Sequence, residues 1–142
     1  MKKPNIVIDT NVIYSALRSK RGASNKLLTL VGVGHFEVHL SVPLVLEYED
    51  VLLRKIKSLP VTKKSVSDLI DSLCALSQLH EIYFLWRPYL RDPKDELVLE
   101  LATAAQCDYI VTYNRTDFVG SEKFGIEVLT PKEFLQEIGE IS

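Results

Sequence analysis

Cysteine and histidine are scarce in this sequence: two and three residues among 142. Cys74 and Cys107 sit in helix-like apolar patterns without CxxC spacing, so two free, buried thiols in a reducing compartment are expected rather than a disulfide or a zinc site. His35, His39 and His80 are scattered, none has an i, i+4 partner, and they read as surface or sheet-edge residues. No apolar run approaches the roughly 18 residues of a membrane span. The stretch behind the two lysines of "MKKPNIVIDT" is too short for a signal peptide. A cytoplasmic protein with no membrane contact is the expectation. Repeats, low-complexity segments and linkers are missing too, so residues 1–142 read as one domain, and 46% hydrophobic residues suffice to close a core.

A basic surplus is also lacking. The net charge of −2 does not mark a nucleic-acid binder, but the cations are unevenly spread. Arg18, Lys20, Arg21 and Lys26 crowd an early loop and helix. Arg54, Lys55, Lys57, Lys63 and Lys64 crowd a helix end and the loop after it, where cations also complement a helix dipole. If both groups flank one groove, they hold phosphates despite the overall sign.

Strand-like and helix-like patterns alternate along the chain. A strand at 5–9 leads to a helix from about 11 to 18. Ser24 caps "NKLLTLVGVG", whose end the glycines mark. "FEVHLS" alternates as a strand, and Pro43 fits the first turn of the helix "PLVLEYEDVLLRKI". Thr62 opens "KKSVSDLIDSLCALSQL", "EIYFLW" is a short strand or extended connection, and Asp92–Pro93 starts "KDELVLELATAAQC". "DYIVTYN" and "IEVLT" are strands, and Pro131 opens a last helix, "KEFLQEIG". This order predicts an α/β fold with a mainly parallel sheet covered on both faces, its site beyond the carboxyl ends of the strands.

That rule selects carboxylates. Asp9 stands between the apolar strand Ile6–Ile8 and a helix, as a cap or as a ligand. Asp92 and Asp95 share one helix mouth, where Asp92 reads as N-cap and Asp95 is less well explained by capping. Glu47 lies on the flank of a core face formed by Leu44, Tyr48, Val51, Leu52 and Ile56, whereas Glu49 and Asp50 look solvated. Asp117 follows "VTYNRT" as a turn residue or a further acid. Asp9, Glu47, Asp95 and Asp117 cannot stay ionised together in one pocket without cations. Hard divalent ions with oxygen ligands, Mg²⁺ or Mn²⁺, answer that need, and their typical use is phosphoryl chemistry.

"VIDTNVIYSAL", "LEYEDVL", "DPKDELVLELATAAQCDYIVTYNRTDF" and "VLTPKEFL" together resemble the PIN-domain ribonucleases, above all the branch of toxin components of toxin–antitoxin pairs. The resemblance spans nearly the whole chain. It implies a three-layer α/β/α sandwich and Mg²⁺- or Mn²⁺-dependent endonucleolytic cleavage of RNA. By resemblance Asp9, Glu47, Asp95 and Asp117 are the acidic metal-binding and catalytic quartet, with Asp92 an added ligand or a cap. Asn11, Thr112 and Asn114 fall at polar positions that orient the ligands. Arg18, Arg21 and Lys26 are candidates for phosphate contact, and Tyr113 stands where many relatives carry a small or charged residue. An antitoxin protein and a second copy in a homodimer are the implied partners, with "FLWRPYL" a candidate for the latter.

Rival readings are weaker or remain open. A phospho-acceptor signalling domain wants paired acids near the first strand and a lysine at a late strand end, and this chain offers neither. A haloacid-dehalogenase-type phosphatase wants a second Asp where Asn11 stands. A non-catalytic module using the same fold to bind RNA or protein is the alternative the acids do not exclude, and nuclease activity with and without EDTA separates the two.

Overall fold

A computed structural model of the chain describes residues 3–81 and 93–142. Strand β1 (Asn5–Ile8) runs into helix α1 (Thr10–Arg18), followed by α2 (Ala23–Thr29) and β2 (Glu37–Ser41). Helix α3 (Val42–Arg54), a 3-10 turn at Ile56–Ser58, α4 (Lys63–Leu76) and β3 (Gln78–His80) come next. The second half holds α5 (Pro93–Ala104), β4 (Tyr109–Val111), 3-10 turns at Arg115–Phe118 and Ser121–Phe124, β5 (Glu127–Leu129) and α6 (Pro131–Glu137).

The strands form one sheet in the order β3-β2-β1-β4-β5, and every described pairing is parallel. From β1 the chain steps outward to β2 and β3, then crosses back to β4 and β5. Right-handed crossovers therefore set the two groups of connections on opposite faces, which gives three α/β/α layers. The expected fold class holds. The reversal of direction falls between β1 and β4, so the switch point lies where Ile8 pairs with Val111.

β1 is apolar throughout its second half because it is covered on both faces: Ile6, Val7 and Ile8 are at most 1% exposed. Leu44, Tyr48 and Leu52 turn inward from α3 as expected, while Val51 and Ile56 are only half-buried. At the far side, Phe134 of α6 meets Phe36 and Tyr109 edge-on, with centroids 5.3 and 5.6 Å apart. The start of α6 is set by a complete capping box between Thr130 and Glu133.

Several expected boundaries shift, each for a local reason. Asp9 is not the last residue of the strand but the N-cap of α1, with φ −69° and ψ 151°. Ser24 does not cap α2; Gly22 does, and Ser24 is buried inside the first turn. That helix ends at Thr29 rather than at the glycines. The chain turns over Gly32 at φ 83°, where an added Cβ would come within 2.9 Å of Leu76. Ser41 caps α3, its hydroxyl accepting from the Leu44 N–H at 3.3 Å. The helix expected through residue 79 stops at Leu76, and Gln78–His80 leave it to pair with His39–Ser41. Tertiary pairing there overrides a helical repeat that the sequence continues. Past Glu81, the strand or connection expected at 81–86 lies outside the described residues, as do Asp92 and the segment containing Trp86 and Tyr89.

Neither the cysteines nor the histidines are placed quite as expected. Both thiols are free, but Cys74 is half-buried, while Cys107 is buried and pushed up to about 12 by desolvation. His39 is not at the surface; it is 8% exposed within β2.

Candidate active site

Asp9 is carried to the switch point by β1 and held there by hydrogen bonds made by its backbone and both carboxylate oxygens. Its own N–H donates to the Val111 carbonyl at 2.9 Å. Its Oδ1 accepts from the Thr10 N–H at 2.8 Å, and its Oδ2 accepts from the Thr112 hydroxyl at 2.8 Å and from Asn11 Nδ2 at 3.3 Å. The Thr112 hydroxyl is also used to capacity. It donates to Asp9 and accepts from Asn11 Nδ2 at 3.1 Å and from the Asn114 N–H at 3.0 Å. Asn11 completes the ring, its Oδ1 accepting from the Tyr113 N–H at 3.3 Å. The cap and ligand readings of Asp9 thus rest on one geometry, since the oxygens that meet α1 also sit in this network.

Burial holds the Asp9 carboxyl above the usual carboxylate range. The hydrogen bonds from Thr112 and Thr10 oppose that shift, and the negative charges of Asp117 and Glu47 add to it. Asp117 and Glu47 are therefore close enough to be felt.

Asp9, Glu47, Asp95 and Asp117 line one cleft of about 240 Å³, together with Thr10, Asn11, Asn114, Tyr14, Val51 and Lys55. The four acids come from four elements: the end of β1, the flank of α3, the first turn of α5 and the 3-10 turn after β4. Of the polar residues assigned by resemblance, Asn11 and Asn114 line the cleft too, while Thr112 is fully buried behind it and reaches it through its bond to Asp9. Arg18, Arg21 and Lys26 do not line the cleft; they are exposed, and Lys26 Nζ donates to the Glu140 carbonyl at 2.9 Å. Two larger hollows, of about 430 and 440 Å³, lie around Lys3, Pro4 and Tyr109. They sit at the opposite, amino-terminal end of the strands, and each gathers a single carboxylate, Asp108 or Glu137.

A divalent cation fits the donor set of the cleft. Its charged groups are mostly carboxylates and its neutral ones amide and hydroxyl oxygens, a hard set without sulfur or imidazole. Among the described residues no three His, Cys, Asp or Glu side chains stand close enough to clasp one ion together. Mg²⁺ suits such spacing because it keeps several waters and needs only one or two direct carboxylates.

Sequence reasoning missed Tyr14, placed Tyr48 and Val51 only in the core, and left Lys55 between phosphate contact and helix dipole without bringing it to the acids. Glu47, Val51 and Lys55 are spaced by four, and that one-sided stripe was the available signal. Tyr48 is 1% exposed, and its hydroxyl donates to the Ile8 carbonyl. The β1–β2 register ends at Ile6 and Val38, so Tyr48 supplies a partner two residues beyond the last rung. It clamps the peptide just before Asp9 from the side opposite Val111. Tyr113 is half-exposed, its hydroxyl bonded to that of Ser24.

The sequence model of the PIN domain family matches residues 5–116. No curated protein matches the chain in sequence. Among solved structures, it is similar to a chain of VapBC2 from Rickettsia felis, described in its crystal structure as bound to a DNA fragment from their promoter. The identity is 13%, the TM-score is 0.60, and the match covers 87% of this chain and 98% of that one. At that identity the likeness concerns the fold, while the family match spans both strands of the switch point and all four acids except Asp117. This chain belongs to the PIN domain family.

Proposed function

We propose that the chain is a Mg²⁺- or Mn²⁺-dependent endoribonuclease, the toxin of a toxin–antitoxin pair. The observation that carries this reading is the convergence of Asp9, Glu47, Asp95 and Asp117 on one cleft at the switch point. These four would hold the ion directly or through water, with Asp92 as a further candidate. Bound there, a divalent ion supplies Lewis acidity toward a phosphodiester and a water of lowered pKa.

The residues around the quartet have their own tasks in this reading. Thr112 and Asn11 fix the direction of the Asp9 carboxylate, so no reorganisation is needed when charge arrives. Asn114 borders the cleft with its side chain exposed, a polar contact for substrate. Arg18, in the last turn of Asp9's own helix, and Arg21, just beyond it, are exposed cations and remain candidates for phosphates further along an RNA strand. Lys26 joins them only by releasing the Glu140 carbonyl.

The VapBC2 likeness supports an antitoxin protein as partner, and a homodimer is proposed beside it. Cytoplasmic residence belongs to the same proposal; among the described residues no helix is long and apolar enough to cross a membrane. A non-catalytic RNA- or protein-binding module is the second reading, favoured by the wide spacing of the acids.

Labelled single-stranded RNA incubated with the protein and Mn²⁺ tests the choice. Endonucleolytic products that vanish with EDTA and with Asp9→Asn are expected. RNA that is bound but never cut, with or without Mn²⁺, would leave the second reading standing and the first refuted.

A further inference from the structure

One cation on the rim of the acidic cleft is held by a ring instead of a carboxylate. Lys55 Nζ lies 4.8 Å from the centroid of the Tyr14 ring, and both side chains line the cleft. Among the described residues Lys55 forms no ion pair, and neither do Lys57 and Lys63, but Lys55 alone of these lines the cleft. Arg54 pairs with Asp50 and Lys64 with Asp68, each at 3.0 Å.

The ring is itself fixed. The Ser58 hydroxyl donates to the Lys55 carbonyl at 2.7 Å, which commits its proton. The Tyr14 hydroxyl therefore donates to Ser58 Oγ, at 2.8 Å. This chain of bonds ties α1 to the turn after α3 and sets the ring under the ammonium.

A cation at the C-terminal end of α3 complements the helix dipole. That accounts for a charge at this position, but not for a side chain turned into the cleft and over an aromatic face. A lysine held by a ring gives up no ion pair when an anion arrives, and the acids around it would otherwise repel a polyanion.

The geometry points to Lys55 as a phosphate-binding residue, with Tyr14 the positioning residue that presents it. The inference rests on the ribonuclease reading. Eight residues, about 12 Å of helix axis, separate Glu47 from Lys55. The phosphate taken by Lys55 is thus a neighbour of the one at the carboxylates, and the contact anchors the RNA strand without touching the reacting atoms.

Steady-state cleavage of a single-stranded RNA of mixed sequence, in Mn²⁺ at about 50 to 200 mM salt, tests this. The proteins compared are the wild type, Lys55→Gln, Tyr14→Leu and, as a control away from the cleft, Lys64→Gln. Lys55→Gln is expected to raise KM with kcat kept, and to make log(1/KM) against log[salt] shallower by about 0.7, the share of one phosphate contact on a single strand. Tyr14→Leu is expected to raise KM in the same direction, and Lys64→Gln to follow the wild type. A wild type that cleaves while Lys55→Gln shares its KM and salt slope would overturn the assignment and leave the ribonuclease reading intact. A wild type that cleaves no RNA would overturn both, and that arm alone tells the two failures apart.

Discussion

The hydroxyl of Thr112 donates to Asp9 Oδ2 at 2.8 Å, across 103 positions of sequence. This bond joins the ends of the adjacent parallel strands β1 and β4 where the strand order reverses, and the same hydroxyl receives Asn11 and the Asn114 N–H. Valine matches threonine in shape and removes all three bonds. Thr112→Val should cost about 1–3 kcal/mol of stability through groups left unsatisfied. It should also lower Mn²⁺ affinity and RNA cleavage by roughly 10–100-fold. Thr112→Ser keeps the hydroxyl and should recover most of both. Chemical denaturation beside a metal titration checks the pair.

Asp9 carries a cost in the metal-free protein. Burial raises its pKa, and Asp117 and Glu47 raise it further against the hydrogen bonds from Thr112 and Thr10. A carboxyl raised in the folded state stabilises the fold below its unfolded value of 3.8, and that stability is lost as pH rises through the folded value. At neutral pH the ionised group therefore works against folding. Asp9→Asn removes the charge but keeps a single oxygen, enough for the Thr10 N–H or the Thr112 hydroxyl and not for both, so the lost bond sets a pH-independent cost. The variant should abolish cleavage, and in EDTA its Tm relative to the wild type should rise between about pH 4 and pH 8, as the wild-type carboxyl ionises. A Tm difference that stays flat or falls over that range would contradict this reading of the site as one that trades stability for charge.

Tyr48 predicts the opposite balance. Its hydroxyl is buried and satisfies the Ile8 carbonyl beyond the end of the β1–β2 ladder. Tyr48→Phe keeps the ring and should cost about 1–3 kcal/mol for the carbonyl left without its partner. Thermal unfolding of the variant in EDTA measures it.

A separate pH dependence is built into the far half of the sheet. Asn5 Oδ1 accepts from His39 Nε2 at 2.8 Å, so His39 Nδ1 accepts from His80 Nε2, also at 2.8 Å. Burial lowers the His39 pKa and His80 lowers it further, against Glu37 and Asp108. A lowered histidine is neutral in the fold and takes its proton more readily when unfolded. Its stability is present above the unfolded value of 6.5 and lost as pH falls through the folded one. Tm should fall between pH 7.5 and 5.5, and His39→Gln should fall less over the same range.

The sequence exposed the site better than its frame. Asp9 stood out as a charge at the end of the apolar run Ile6–Ile8, but capping is an ordinary use for such a residue and it does cap α1, so it was the resemblance from "DTN" to "TYNRTDF" that gathered its partners. β3 was not legible, because Gln78–His80 continue the helical repeat of α4 and only β2 pulls them out of it. His39 looked like an edge residue because its polar partners, Asn5 and His80, are remote in sequence. Lys55 was legible only as one of five cations that serve a helix dipole or hold phosphates, and the Tyr14 ring beneath it is what singles it out.

The central claim is that Asp9, Glu47, Asp95 and Asp117 form one divalent-metal site. Calorimetric titration of Mn²⁺ into the wild-type protein and into Asp9→Asn, Glu47→Gln, Asp95→Asn and Asp117→Asn tests it most directly. The account predicts saturable binding by the wild type that weakens at least roughly 10-fold in every variant. A wild type that takes up no Mn²⁺, or variants that bind it unchanged, would contradict the claim.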